Sequence, residues 1–231
     1  MAQGCNRVFG PMEGCSWFPY RANAGPFSRP PFVMEPQADP GPWLAAGYTV
    51  AARYTSTLQS HESALERLDT HRVRANSLGF RVRSFELDQV ERDLVDCHAL
   101  AHGAFSCALG YAPLSQDSFV GMYKPLLLSA PQELLLIAED NAGRVVGFCL
   151  CFPEPNAPAL KQMVVKSLAV DPSVQGASVG SALVAEAHSR ALAMGLTGGG
   201  IHALMRSDSN SQSITARGGA EVFRHYSLYE K

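Results

Sequence analysis

Along the second half of the chain, apolar positions fall alternately into helical and strand-like spacings. Leu87, Val90, Leu94, Val95 and Leu100 recur at helical intervals, which predicts an amphipathic helix over 85–102 behind a short strand at 80–83. A second helix is predicted over 115–127. The apolar runs 133–139 and 144–152 bracket Asp140-Asn141-Ala142-Gly143, a turn sequence, and predict an antiparallel hairpin. Residues 163–170 read as a strand, 179–194 as a strongly patterned helix stopping near Gly195, 201–205 as a strand and 221–229 as a last strand. That order predicts an α/β (α+β) fold: a mixed central sheet flanked by helices.

The first half is different. Eight of the 15 prolines precede residue 45, so that stretch is turn-rich. Residues 56–74 are polar, with Leu58, Leu65 and Leu68 among them, and read as a helix connecting two units. With 231 residues, 46% hydrophobic and 17% charged, the chain can bury a full core, which excludes disorder as a description of the whole. Nineteen basic against 21 acidic residues leave a charge of −2 and no electrostatic footprint for nucleic acid or an anionic membrane. The longest apolar runs, 126–128 and 134–138, fall far short of the ~20 residues that span a bilayer. The N-terminus, with Arg7, lacks the apolar stretch of a secretory signal. The six cysteines form no C-x-x-C pair, so neither zinc nor a disulfide framework is indicated, and a cytoplasmic location is expected. Cys149 and Cys151 read as small buried hydrophobes.

One junction carries chemistry. At Val170-Asp171-Pro172-Ser173-Val174-Gln175-Gly176-Ala177-Ser178-Val179-Gly180 a buried strand ends, a glycine-bearing loop follows, and a helix begins. Backbone N–H groups at such a helix start favour phosphate by about 0.3–1 kcal/mol before any side chain helps. No Gly-Lys-Ser/Thr follows, which argues against a P-loop. No acidic residue ends a following parallel strand at about 20 residues, which argues against a dinucleotide fold.

Gln175-Gly176-Ala177-Ser178-Val179-Gly180 resembles the Q/R-x-x-G-x-G/A acyl-CoA signature of the GNAT acetyltransferase superfamily. Val170-x-Pro172 before the loop, Leu183 in the helix after it and Asn210 after the next strand strengthen the resemblance, which covers about 80–231. Ser178 departs from it, standing where the pattern has Gly. Its Cβ narrows the approach to phosphate, although its hydroxyl can donate to one.

The resemblance implies a GNAT-like acyl-CoA N-acyltransferase fold, acetyl-CoA as cofactor, and direct attack of an amine on the thioester. It implies that Ser167, Leu168, Ala169 and Val170 pair with the pantetheine arm, with the Leu168 N–H stabilising the oxyanion. It assigns the phosphates to Gln175, Gly176, Ala177, Ser178, Val179, Gly180 and Ser181, with Asn210 and Ser213 beside them. Ser211 and Ser213 read as cofactor contacts or helix caps. Glu154 is read as the base or an acceptor-binding carboxylate, or else as a solvated loop acid. The tyrosine that many members place after the Asn to protonate the thiolate is missing from 209–219, so Tyr226 is considered as a substitute acid, or as core.

His98 and His102 have metal-ligand spacing but no H-E-x-x-H pattern, so no metal is expected; the role of His202 stays open. Phe105, Tyr111 and Pro113 are read as one wall of an acceptor site. Residues 1–75 resemble the closing half of a second GNAT unit, from Trp43, Gly47-Tyr48 and Tyr54-Thr55-Ser56, or form an irregular extension. Either way they should pack on the 76–231 domain or on another copy, as in a homodimer. The expected partners are acetyl-CoA and a small-molecule or protein amine. The alternative is a non-catalytic acyl-CoA-binding module.

Overall fold

The computed structural model describes residues 6–25, 31–33 and 35–231; Cys5, Pro26, Pro30 and Met34 lie outside them. Two short strands, β1 (Phe9–Gly10) and β2 (Ala22–Asn23), precede a one-turn helix α1 (Gly41–Ala45) and a long strand β3 (Thr49–Gln59). Then come α2 (His61–Ser77), β4 (Arg81–Ser84), α3 (Val90–Phe105), α4 (Gln116–Ser129), β5 (Leu135–Glu139), β6 (Val145–Pro153) and β7 (Met163–Val170). The chain closes with α5 (Val179–Ala193), β8 (Gly200–Arg206), α6 (Asn210–Arg217) and β9 (Glu221–Glu230).

All nine strands form one sheet in the order β1-β9-β3-β8-β7-β6-β5-β4, with β2 also on β9. The mixed sheet expected from the alternating pattern is present: β5–β6 and β6–β7 are antiparallel, β7–β8 parallel. Helices α3 and α4 bury Leu94, Leu100, Phe119 and Leu127 on one face against Ile137, Phe148 and Ala169. On the other face α5 buries Leu183 and Ala187 against Cys149, Met163 and Val165. Cys149 and Cys151 are both fully buried there.

Two helices start well after the expected residue. Residues 56–59 belong to β3, and α2 starts only after Ser60, whose hydroxyl accepts the Ser63 N–H. The helix expected from 85 starts at Val90, because Phe85 N–H bonds Leu135 O and a 3₁₀ turn follows. Asp93 then anchors the first turn of α3, accepting from Arg83 and from Glu86 N–H. The strand β3 hides in the sequence because its buried positions include Thr55, Ser56, Thr57 and Gln59.

β3 runs antiparallel between β8 and β9, so the N-terminal segment supplies an interior strand of the sheet. α2 lies along α5, with Leu68 buried against Val184 and Ala185. α5 is consequently buried nearly all round, which accounts for its run of small and apolar residues. A division at residue 75 falls inside continuous α2. Among the described residues no helix is long and apolar enough to cross a membrane.

Candidate functional site

The parallel strands β7 and β8 pair only at Met163–Gly200, Val164–Ile201 and Val165–His202. Both continue, to Val170 and Arg206, so beyond that point they part and leave a wedge-shaped opening in the sheet. Irregular backbone marks the parting on each side. On β7 the pairing to β6 slips between Leu150–Ser167 and Cys151–Val165, making Lys166 a bulge residue. On β8 Leu204 takes a left-handed φ of 54°, and its N–H donates to Ser56 Oγ at 3.1 Å.

Main-chain phase decides what faces the opening. Asp171 N–H bonds Val146 O, so by the alternation of an antiparallel ladder Ala169 and Ser167 also direct their main-chain groups toward β6. Leu168 and Val170 therefore direct theirs toward the edge that β8 abandons. Of the four residues expected to pair with a pantetheine arm, these two have free main-chain edges; Ser167 and Ala169 are committed to β6.

The opening leads to the loop 171–178. Asp171 caps its 3₁₀ turn through Ser173 N–H, and that backbone bond pulls its carboxyl below the usual range. Gln175 and Gly176 are exposed, Gly176 at φ +86°. Ser178 precedes α5 at φ +69°, and the first helical bond runs from Ala182 N–H to Ser178 O. The N–H groups of Val179, Gly180 and Ser181 thus form the unpaired first turn of the helix. A Cβ on Gly180 would lie 2.9 Å from Ile214 Cδ1, so glycine lets α5 meet α6 closely. Ser178 Oγ sits 3.0 Å from His71 Nδ1 of α2, so the departure from the glycine pattern is used to hold α2 at the loop. Burial, then Arg217 and Arg74, lowers the His71 pKa and so favours the neutral ring. Asn210 and Ser213 are exposed on the first turn of α6, where Ser213 donates to Asn210 O and Ser209 caps the helix.

The two side chains considered for proton transfer are engaged elsewhere. Glu154 lies beyond β6, at the Met163 end of β7, roughly 20 Å along the strand from Leu168. Its buried carboxylate accepts Val33 N–H at 2.9 Å and Asn156 N–H at 2.7 Å. That pairing makes it a tie between the N-terminal segment and the sheet, neither a solvated acid nor an acceptor-facing base. Tyr226 is buried on β9 and donates to Glu35 Oε1 at 2.7 Å, and Glu35 pairs with buried Arg224 at 2.7 Å. Burial and that carboxylate push the phenol far up, so Tyr226 is no exposed acid. It still reaches the opening through hydrogen bonds: Leu204 N–H to Ser56 Oγ, and Ser56 to the Tyr226 oxygen at 3.4 Å. Glu35 and Ser56 come from the irregular first half, and no local pattern pointed to their place near the opening, since their side-chain partners Arg224, Tyr226 and Leu204 lie more than 140 residues away.

The wall on the α3–α4 side includes Trp17, whose ring packs at 5.9 Å on Phe105 and 5.8 Å on Tyr111. Lys166 extends toward α4, with Nζ 4.5 Å from the Tyr123 ring centre. His202 turns away from the opening and meets His188 at 3.2 Å on the α5 side. His98 Nε2–H donates to Leu114 O, and among the described residues no group of three or more His, Cys, Asp or Glu is placed to hold a metal ion.

A model of the acetyltransferase (GNAT) family matches residues 96–214. No curated protein matches the chain. A solved GCN5-related N-acetyltransferase from Sphaerobacter thermophilus is 18% identical over 83% of this chain and 55% of its own length, with a TM-score of 0.61. A tandem GNAT protein from the clavulanic acid biosynthesis pathway is 15% identical, covering 85% of this chain and 59% of that one at a TM-score of 0.54. An N-acetyltransferase from Staphylococcus aureus Mu50 is 17% identical over 66% of this chain and 98% of its own, at 0.50. The chain spans little more than half the length of the first two, and at these identities the likeness is one of fold.

Proposed function

The chain belongs to the acetyltransferase (GNAT) family, and from that premise we propose that it is an N-acetyltransferase moving an acetyl group from acetyl-CoA to an amine held in the same complex. The observation that carries this is the parting of β7 and β8, which opens a main-chain edge leading straight to an unpaired helix N-terminus. A pyrophosphate suits the N–H groups of Val179, Gly180 and Ser181 with the exposed Gln175–Gly176 loop, and this needs no basic patch. A pantetheine amide suits the edge of Leu168 and Val170. Asn210 and Ser213, on the next helix start, flank the same end.

When bound, acetyl-CoA supplies the activated acyl group. Leu168 N–H, directed into the opening, donates to the carbonyl oxygen as negative charge grows there. The parted strands orient the amine and keep it beside the acyl carbon, which is the larger share of the rate. The engagement of Tyr226 is no obstacle, because a thiol with a pKa near 8.5 would leave as the thiolate without an acid. The amine proton passes to water in the opening.

A second reading, a CoA-binding module without catalysis, is favoured by the engagement of both Glu154 and Tyr226. Mixing the protein with acetyl-CoA and a panel of amines while following free thiol separates the two. Transfer predicts thiol release above background with at least one amine. Stabilisation by CoA with no release from any acceptor supports the module, and no thermal stabilisation by saturating CoA removes both readings.

A further inference from the structure

Two arginines are buried on the side of the sheet that faces α3 and α4, and they differ in one respect. Arg224 has a carboxylate, Glu35, at 2.7 Å. Arg21, 8% exposed, has none among the described residues. Its guanidinium carbon lies 3.6 Å from the Tyr20 ring centre and 4.1 Å from that of Tyr54, and the two rings meet edge to face at 5.7 Å. One terminal nitrogen bonds the Tyr20 hydroxyl, and Nε has no hydrogen-bond partner among the described residues.

A cation taken out of water this far is ordinarily paired, because stacking on aromatic faces returns about 0.5–2 kcal/mol while desolvation costs several. The backbone adds to the cost: Arg21 is held at φ +88°, a left-handed conformation, where the sequence has no glycine. Two costs concentrated on one residue point to a task.

The place is informative. Tyr54 pairs with Arg206 on β8 and packs in one apolar cluster with Leu204, the bulge residue at the parting, and with Leu109 from the α3–α4 connection. The guanidinium therefore stacks on a ring whose apolar cluster reaches the parting of β7 and β8 through Leu204. We propose that Arg21, with the hydroxyls of Tyr20 and Tyr54, binds a carboxylate of the acceptor, so that the substrate class is an amine that also carries a carboxylate. A planar fork of N–H donors with two phenols beside it matches a two-oxygen anion. Glu35, the carboxylate that reaches Tyr226 on the same face, is already engaged by Tyr226 and Arg224. This proposal rests on the acetyltransferase reading for its acceptor.

The probes are N-acetylamino acids, which are product analogues, each compared with its own amide for stabilising the full-length protein against heat. The expected result is that at least one acid raises the melting temperature more than its amide does, and that Arg21→Gln abolishes the difference while the shift given by CoA is kept. In thiol release, amino acids should then exceed the matching amino-acid amides by at least tenfold in kcat/KM, and the variant should lose that preference. Equal effects of acid and amide across the panel, or a preference that survives in Arg21→Gln, would overturn the proposal. If Arg21→Gln does not fold, Tyr54→Phe, which removes one hydroxyl, should weaken the acid but leave its amide unchanged. Thiol release from amines without any acid preference defeats this inference and leaves the acetyltransferase reading standing. An Arg21-dependent acid preference with no thiol release does the reverse.

Discussion

At the scale of single residues, the sheet opening makes two sharp predictions. Leu168 N–H is directed away from β6, so Leu168→Pro deletes a donor without deleting a bond of the β6–β7 ladder. Loss of an oxyanion donor ordinarily costs about 10²–10³ in kcat; thiol release at saturating acetyl-CoA should fall by that factor while CoA still stabilises the variant. A fall below tenfold would assign the oxyanion elsewhere. Ser178 stands at φ +69°, where a side chain costs roughly 1 kcal/mol that glycine does not, and its bond to His71 returns about the same. Ser178→Gly should leave the melting temperature nearly unchanged and tighten CoA several-fold by calorimetric titration, because the Cβ no longer limits approach to the loop. Weaker binding would show that the hydroxyl itself serves the phosphate. The loop was legible from sequence because its glycine spacing and helix start are local. The fates of Glu154 and Tyr226 were not, because Val33 and Glu35, which engage them, approach from 121 and 191 residues away.

At the scale of elements, three histidines join α2, α5 and β8 in a buried row. His61 Nδ1 lies 2.9 Å from His188 Nδ1, and His188 Nε2 lies 3.2 Å from His202 Nε2. Burial, then His61, lowers His202 to about 4, and burial with both neighbours holds His188 well below its ordinary value. The folded state thus binds fewer protons than the unfolded one between the unfolded value of 6.5 and about 4. Stability should be full above pH 6.5 and fall as pH drops toward 4, by about 3 kcal/mol from His202 alone. Urea midpoints across that range test it, and His202→Phe should flatten the slope; an unchanged slope would assign the acid sensitivity to other groups. Most elements after residue 80 were legible because their apolar periods are clean, although the short α6 was not read, whereas β3 was read partly as helix. Its buried Thr55, Ser56 and Gln59 find partners in Gln212, Tyr226 and Gly218, and such distant pairing leaves no period in the sequence.

At the scale of the whole molecule, the question is whether residues 76–231, which contain all of the matched 96–214, can stand without what precedes them. Removing 1–75 takes β3 out from between β8 and β9, leaving two facing edges unpaired in the middle of the sheet. It also removes Ala64, Leu68 and most of α2 from the outer face of α5, uncovering Val184 and Ala185, both fully buried in the complete chain. Exposing several such side chains costs about 1.5–3 kcal/mol each, against a total stability of about 5–15 kcal/mol for an ordinary domain. The fragment 76–231 should therefore be insoluble or molten, without dispersed amide resonances, and unable to bind CoA. The complete chain should unfold in one transition, with the Trp17 and Trp43 environments and the far-ultraviolet signal changing together. Adding a separate peptide of residues 1–75 to the fragment should restore CoA binding, because β3 supplies the missing pairing from either chain. A fragment that folds and binds CoA alone would instead make the first 75 residues a separate unit docked on a self-sufficient domain.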